Sequence, residues 1–181
     1  MKIQRVSILL IGLFFFGLLY SQPTPPGNLS GSSLRSWLKS NWYNGYHNTL
    51  GYTNARRKMY NFIDNKNNTI TDVYTGYVKN WNYGGSGTNP QPLNAEHTVP
   101  QSFFSSAEPM RSDIHQLFPC YNSANSSRSN YPFADIADNQ TTRWWRNGSY
   151  QTNKPSASVI AQYSEYKYGF FEPRESQKGN T

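Results

Sequence analysis

The sequence predicts a single domain of the α+β class. Two segments near its start place apolar residues at helical spacing, and the segment that follows is rich in residues that favour β-strands. A length of 181 residues suits one domain with a hydrophobic core of its own. The sequence contains no internal repeat and no coiled-coil heptads, which excludes a repeat architecture.

The first predicted helix has Ser33 as its cap and ends before Gly45. Its apolar stripe consists of Leu34, Trp37, Leu38 and Trp42. Thr53 is the predicted cap of a second helix. The apolar face of that helix consists of Ala55, Met59 and Phe62. Residues 70–81 are predicted to form one strand, and residues 82–92, rich in Gly, Asn and Pro, a loop.

Residues 1–21 have the features of a cleaved signal peptide. Lys2 and Arg5 form a positive start, and an apolar run of fifteen residues follows at positions 6–20. At a rise of ~1.5 Å per residue this run is short for a bilayer core of ~30 Å. We therefore predict a secreted or periplasmic protein with no stable membrane association after cleavage; a retained anchor is the alternative.

The remaining chain is predicted to consist of a linker and one folded domain. Residues 22–32 contain three prolines and two glycines, which disfavour regular structure, so the domain is assigned to residues 33–181. Cys120 is the only cysteine and is predicted to be a buried apolar residue, because one cysteine cannot form an intramolecular disulfide.

The protein is basic, with a formal net charge of +7 and a pI of about 9.5. Without residues 1–21 it has 15 basic and 10 acidic residues, a net charge of +5. Such a charge favours polyanions such as nucleic acid or anionic membranes, although solubility alone explains it equally well. Trp144 and Trp145, flanked by arginines, could stack on bases, but a place in the core is the preferred interpretation.

The stretch 94–133 is the richest in chemically active residues, and it contains the pair Glu96–His97. A carboxylate is a hard ligand for a divalent cation, and an imidazole titrates near neutral pH. Hydrolysis of a phosphodiester needs both, since a cation offsets charge on the phosphate and a base takes a proton from water. The pair therefore predicts metal-assisted hydrolysis.

The longer pattern around this pair resembles the bacterial endonuclease I family, which comprises secreted or periplasmic nucleases. The residues that carry the resemblance, from about residue 34 to the end of the chain, are Glu96-His97-x-x-Pro100-x-Ser102, Ser112-Asp113-x-His115-x-Leu117-x-Pro119 and Asn125-x-x-Arg128-Ser129-Asn130. The resemblance implies an embedded ββα-metal, or His-Me finger, unit within the α+β fold.

The resemblance also implies residue roles. His97 corresponds to the general base, and Glu96 and Asn125 correspond to the metal ligands and catalytic partners. One Mg²⁺ ion is the expected cofactor, with Mn²⁺ or Ca²⁺ as possible substitutes. Arg128 is expected either to contact the substrate phosphate or to hold its helix. Arg111 is assigned only loosely to substrate binding, because a longer insert of better-known members is missing here.

Two strands and a helix are expected to build this unit. Leu93–Val99 is predicted as the first strand, with a bend or bulge that would let Glu96 and His97 face one site. His115–Cys120 is the second predicted strand. Asn122–Asn130 is the predicted helix, a placement that follows from the family, because the Ser- and Asn-rich composition alone favours a loop.

Two further expectations concern neighbouring segments. Asp113 and His115 are interpreted as scaffold, with the aspartate capping a turn and the histidine bonded nearby. The chain stops where a helix of the family begins, so we predict that the C-terminal helix is truncated.

The predicted function is a largely sequence-nonspecific endonuclease, a monomer that hydrolyses DNA to 5′-phosphate products, with RNA as a further substrate. Because the base must be neutral, activity should be lost at acid pH. The main alternative is a secreted module that binds nucleic acid or polysaccharide without cutting it. A zinc hydrolase is a weaker alternative, since the chain has three histidines and no HExxH sequence.

Overall fold

The computed structural model describes residues 23–179, which form two compact units, residues 23–47 and 48–179. The predicted signal peptide, residues 1–21, and the last two residues, where a truncated helix is predicted to start, lie outside the described residues. In the first unit, helix α1 spans Gly31–Leu38 and continues into a π-helical turn, Lys39–Tyr43. The helix begins inside the predicted linker, with Ser30 rather than Ser33 at its cap position.

The second unit begins with helix α2, Tyr52–Lys58, which continues into a π-helical turn, Met59–Ile63. Ala55 and Met59 are buried, as their spacing predicted, but Phe62 is 36% exposed. In the π-helical turn hydrogen bonds reach the fifth residue, as in the bond from Asp64 N to Met59 O. Tyr60, the residue after Met59, is buried instead.

The strand predicted for residues 70–81 is divided by a turn. Strands β1 (Asn65–Lys66), β2 (Thr69–Thr71) and β3 (Val78–Asn80) form an antiparallel sheet in that order. The prediction of one strand was therefore wrong. Residues 72–77 form the connection between β2 and β3, because the side chain of Asp72 bonds to backbone groups that would otherwise extend the strand.

Asp72 is completely buried, and its carboxylate joins two parts of the chain. Its Oδ1 accepts hydrogen bonds from Tyr74 N at 3.1 Å and from Tyr121 N at 3.0 Å. Its Oδ2 accepts a hydrogen bond from Thr75 N at 2.9 Å and another from the Thr75 hydroxyl. Burial raises the pKa of Asp72 although these donors oppose the rise. The carboxylate thus fixes the β2–β3 turn against the end of a strand 49 residues later.

A two-stranded ribbon and a helix follow. Strand β4 (Leu93–His97) pairs antiparallel with β5 (Leu117–Tyr121), and helix α3 spans Asn122–Arg128. All three elements were predicted, with ends shifted by up to two residues. The pairing is regular through Glu96 opposite Phe118 and His97 opposite Leu117. The expected bulge at Glu96–His97 is therefore absent from β4, and that prediction was wrong.

The C-terminal part forms a four-stranded antiparallel sheet in the order β7-β6-β8-β9. Its strands are β6 (Arg143–Arg146), β7 (Ser149–Gln151), β8 (Ser164–Lys167) and β9 (Phe170–Glu172). Asn147 and Gly148 connect β6 to β7 with positive φ angles of 49° and 78°, as tight hairpins require. Glycine is also needed at position 148 because a side chain there would collide with the Tyr121 ring.

Two clusters of apolar residues form the core. The first, between α2 and the β4–β5 ribbon, contains Ala55, Met59, Tyr60, Ile70, Leu93 and Leu117. The second, which includes the C-terminal sheet, contains Val73, Tyr74, Cys120, Ala124, Trp145 and Phe171. Trp144 and Trp145 are 1% and 2% exposed, which confirms their predicted place in the core, and the burial of Cys120 is confirmed as well. The ribbon therefore has packed residues on both faces, and the mixture of helices and sheets confirms the α+β class.

No helix of residues 23–179 is long and apolar enough to cross a membrane.

The buried hydrogen bonds of Asp72 should contribute strongly to stability. We expect Asp72→Ala to lower the free energy of unfolding by about 3 kcal/mol or more, because it leaves several buried N–H groups without an acceptor. Urea unfolding followed by tryptophan fluorescence measures the change. The matched control is Asp138→Ala, which removes an ion pair with Lys154 whose two side chains are 43% and 55% exposed and which should cost less than about 1 kcal/mol. Equal losses in the two variants would contradict this role for Asp72.

Candidate active site

A cavity of about 330 Å³ lies at the C-terminal end of β4, between that strand and α3. The residues that line it include Glu96, His97, Pro100, Asn125, Arg128 and Asn130. The structure thus brings together the three residues predicted to act in catalysis. Glu96 and His97 are the last two residues of β4, and Asn125 lies on α3, which follows the partner strand β5. The ribbon and the helix therefore position the three residues together.

Glu96 points to the α3 side of the ribbon. It is 3% exposed, and its Oε1 accepts a hydrogen bond from the Tyr74 hydroxyl at 2.6 Å. The same oxygen lies 3.3 Å from Nη1 of Arg128. Its other oxygen, Oε2, is not the atom that Tyr74 and Arg128 contact. One oxygen therefore anchors the side chain, which leaves the second for a ligand.

Asn125 lies on α3 beside the same face of the strand. Its Nδ2 donates a hydrogen bond to Oδ1 of Asn94 at 2.8 Å. Asn94 and Glu96 are two residues apart on β4 and therefore share one face. Because the amide nitrogen is held by Asn94, the orientation of the Asn125 side chain is fixed, and its Oδ1 is left for another partner.

His97 projects from the opposite face of β4, as regular pairing requires. Its Nε2 lies 3.0 Å from the carbonyl oxygen of Arg111, and its ring stacks on Tyr52 with a centroid distance of 5.6 Å. A carbonyl can only accept, so Nε2 carries the proton in this bond. In the neutral ring Nδ1 is then the unprotonated nitrogen. No hydrogen bond between described residues involves Nδ1.

Arg128 ties the end of β4 to α3. Its side chain is 3% exposed, with Nη1 donating to the carbonyls of His97 at 3.3 Å and Ser129 at 3.1 Å. Nη2 donates to the carbonyl of Thr98 at 2.5 Å. The guanidinium also lies over the Phe133 ring, 4.7 Å from its centroid. These contacts are those of a residue that holds the helix, the second of the two roles expected from the sequence.

Burial changes the acidity of both central residues. It raises the pKa of Glu96 to about 7, although Arg128 and the Tyr74 hydroxyl favour the charged form. It lowers the pKa of His97 below its ordinary value of 6.5, with the hydrogen bond to Arg111 acting in the opposite direction. The imidazole is therefore neutral at pH 7, the form in which it can accept a proton.

The chain matches the family model of Endonuclease I over residues 30–181. The chain belongs to the endonuclease I family. Membership implies a nuclease, a hydrolase whose substrate is nucleic acid, and it confirms the resemblance found in the sequence. No curated protein matches the chain.

The donor set at the endonuclease cavity fits a strongly hydrated divalent cation. Glu96 and Asn125 line one cavity, and each has a side-chain oxygen besides the atoms held by Tyr74, Arg128 and Asn94. Within residues 23–179 there is no group of three or more His, Cys, Asp or Glu side chains placed to hold a metal ion. A cation at Glu96 and Asn125 would therefore take most of its ligands from water and substrate, as Mg²⁺ does.

The other predicted residues lie beside this site. Arg111 contributes its carbonyl to His97, and its guanidinium lies over the Tyr52 ring, 4.5 Å from the centroid. Asp113 Oδ1 accepts hydrogen bonds from the backbone N and from Nδ1 of His115, at 3.0 and 2.9 Å. The His115 side chain is 89% exposed, so the two residues form a turn on the surface, as the scaffold interpretation expected.

Three residues that border the predicted catalytic groups were missed in the sequence. Asn94 could have been found, because it lies two positions before Glu96 on a predicted strand and so shares its face. Tyr52 and Tyr74 give no such signal. They reach the site through tertiary packing, 45 and 22 positions away from the residues that they contact.

The raised pKa of Glu96 predicts how stability depends on pH. Its folded pKa of about 7 exceeds the ordinary value of 4.5, so between these values the folded state binds more protons than the unfolded state. Folding is then favoured at the acid end of this window, and stability falls as pH rises through about 7. We expect Glu96→Gln to reduce this slope in urea unfolding with EDTA.

Glu175→Gln is the control, because Glu175 is 57% exposed and lies outside the cavity. An unchanged slope in Glu96→Gln, or the same change in both variants, would contradict the prediction.

Proposed function

We propose that the protein is an Mg²⁺-dependent, largely sequence-nonspecific endonuclease that hydrolyses DNA to 5′-phosphate products. RNA is a further substrate, because recognition of the backbone reads phosphates more than bases. The observation that carries the proposal is the meeting of Glu96, His97 and Asn125 at one cavity, with an imidazole oriented by a backbone carbonyl.

His97 is the proposed general base. Nε2–H donates to the Arg111 carbonyl, which holds the ring in the tautomer whose Nδ1 accepts a proton. The buried ring is neutral at pH 7 because its pKa is lowered. A water molecule gives its proton to Nδ1 while its oxygen forms a bond to phosphorus. The bond between phosphorus and the 3′ oxygen breaks, and that oxygen takes a proton from solvent.

Glu96 and Asn125 are the proposed ligands of the cation. Tyr74 and Arg128 hold one oxygen of Glu96, and Asn94 holds the amide of Asn125, so both ligands are fixed before a cation binds. When bound, Mg²⁺ stabilises the negative charge that develops on the phosphate and on the leaving oxygen. Mn²⁺ or Ca²⁺ could occupy the same oxygen donors.

Arg128 and Arg111 are proposed to hold neighbouring groups in position and to supply positive charge. Arg128 fixes the end of β4 against α3, and it also brings a positive charge to the cavity wall. The Arg111 guanidinium, held over Tyr52 beside His97, is available to a substrate phosphate. The proposal also includes export and action as a monomer. Export rests on the sequence of residues 1–21.

Removal of the base should abolish turnover. We expect His97→Ala to lower the rate of plasmid nicking in Mg²⁺ by at least about 100-fold, since general base catalysis contributes that much. DNA binding in EDTA should be kept, because the neutral ring offers no charge to a phosphate. His115→Ala is the matched control, as the exposed His115 side chain should be dispensable. Wild-type protein that binds but never nicks would favour the non-catalytic binding module instead.

Asn94 provides a test of the ligand assignment. In Asn94→Ala the Asn125 amide loses its partner, and we expect the Mg²⁺ concentration for half-maximal nicking to rise by about 10-fold or more. The maximal rate at saturating Mg²⁺ should recover, since Asn94 itself touches neither base nor substrate. A loss of rate that excess Mg²⁺ cannot restore would show that Asn94 does not act through a cation ligand.

A further inference from the structure

Four tyrosines and one arginine form a continuous aromatic surface beside the active site. This surface, here called the tyrosine strip, consists of Tyr131, Tyr150, Tyr166 and Tyr168 together with Arg143. Tyr131 lies 6.3 Å from Tyr166 and 5.8 Å from Tyr168, measured between ring centroids. The Arg143 guanidinium lies 4.9 Å from the Tyr150 ring and 5.1 Å from the Tyr166 ring.

The cation of the strip is fixed in place. Nη1 of Arg143 donates a hydrogen bond to the hydroxyl of Ser127 on α3 at 3.1 Å. Because Ser127 lies between Asn125 and Arg128 in the chain, this bond connects the strip to the helix that supplies the proposed cation ligand. Arg143 is half-buried between the Tyr150 and Tyr166 rings, and its positive charge lies next to the aromatic surface.

The strip starts where the cavity ends. Ser129 and Asn130 line the cavity, and Tyr131 is the next residue. The Tyr168 side chain is 84% exposed and that of Tyr150 is 48% exposed. Exposed aromatic residues that form one patch offer a surface for a partner, whereas the indoles of Trp144 and Trp145 are enclosed in the core. Tyr131 therefore connects the edge of the cavity to the other rings of the strip.

We propose that the tyrosine strip binds the bases of unpaired nucleotides next to the bond that is cut. The inference rests on the proposed endonuclease function and adds a preference to it. Bases of a single strand can stack on the exposed tyrosine rings, whatever their sequence. Bases inside a duplex are already stacked on each other and cannot do so. The strip therefore favours single-stranded segments over duplex.

The test measures binding and does not depend on turnover. The full chain, with its native active-site residues, is titrated in EDTA against fluorescein-labelled oligothymidylate and against a labelled hairpin duplex, with anisotropy as the readout. The variants are Tyr168→Ala, Tyr131→Ala and Tyr131→Phe. The control is Tyr83→Ala, a tyrosine of similar exposure, at 58%, that contacts Phe62 outside the strip.

We expect Tyr168→Ala and Tyr131→Ala each to weaken binding of oligothymidylate by about fivefold or more, the effect of losing one stacked base. Binding of the duplex should change by less than about twofold in these variants. Tyr131→Phe, which keeps the ring, should bind as the wild type does, and so should Tyr83→Ala. Unfolding in urea checks that Tyr168→Ala is as stable as the wild type.

Other outcomes separate this inference from the endonuclease proposal. If the wild type nicks plasmid but Tyr168→Ala and Tyr131→Ala bind oligothymidylate as tightly as it does, the inference about the strip is wrong and the endonuclease remains. Equal weakening of single-strand and duplex binding would also overturn the preference. If the wild type never nicks, yet Tyr168→Ala binds oligothymidylate more weakly than the wild type, the strip does bind single strands and the catalytic proposal is wrong.

Discussion

The candidate site depends on one buried charge. The Arg128 guanidinium binds the carbonyls of His97 and Thr98 and lies 3.3 Å from Oε1 of Glu96. A buried cation is tolerated only where charge and hydrogen bonds compensate its desolvation, and these acceptors exist only when α3 lies against the end of β4. That requirement fixes the helix to the strand and places Asn125, one turn earlier on α3, beside Asn94.

Most of the site was predicted from the resemblance to a family rather than from local pattern, and the errors came from tertiary context. The residues of α3 have low helix propensity, yet the helix forms because Ala124 and Arg128 are buried against the rest of the domain. The prediction of one strand over residues 70–81 failed because the Asp72 side chain offers the backbone better hydrogen-bond partners than a continued strand would. The prediction that Phe62 is buried failed because an apolar pattern of period 3.6 does not reveal a π-helical turn.

The aromatic residues also show that a sequence pattern does not predict which side chains meet through tertiary packing. In the sequence the indoles of Trp144 and Trp145 and their flanking arginines stand out, and a core position for them was correctly preferred. The tyrosines that form an exposed surface are spread over positions 131–168. They meet only because β6, β7 and β8 are neighbours in one sheet and because Tyr131 follows directly after the loop at the cavity. The spacing of these tyrosines in the sequence does not predict that they are neighbours in the fold.

The unbroken pairing of β4 determines which neighbours surround Glu96 and which surround His97. Adjacent positions on a regular strand face opposite ways, so the backbone itself separates the oxygen-rich side around Glu96, Asn94 and Asn125 from the aromatic side around His97 and Tyr52. The proposed cation ligands and the proposed base therefore have different neighbours, although all three residues line one cavity.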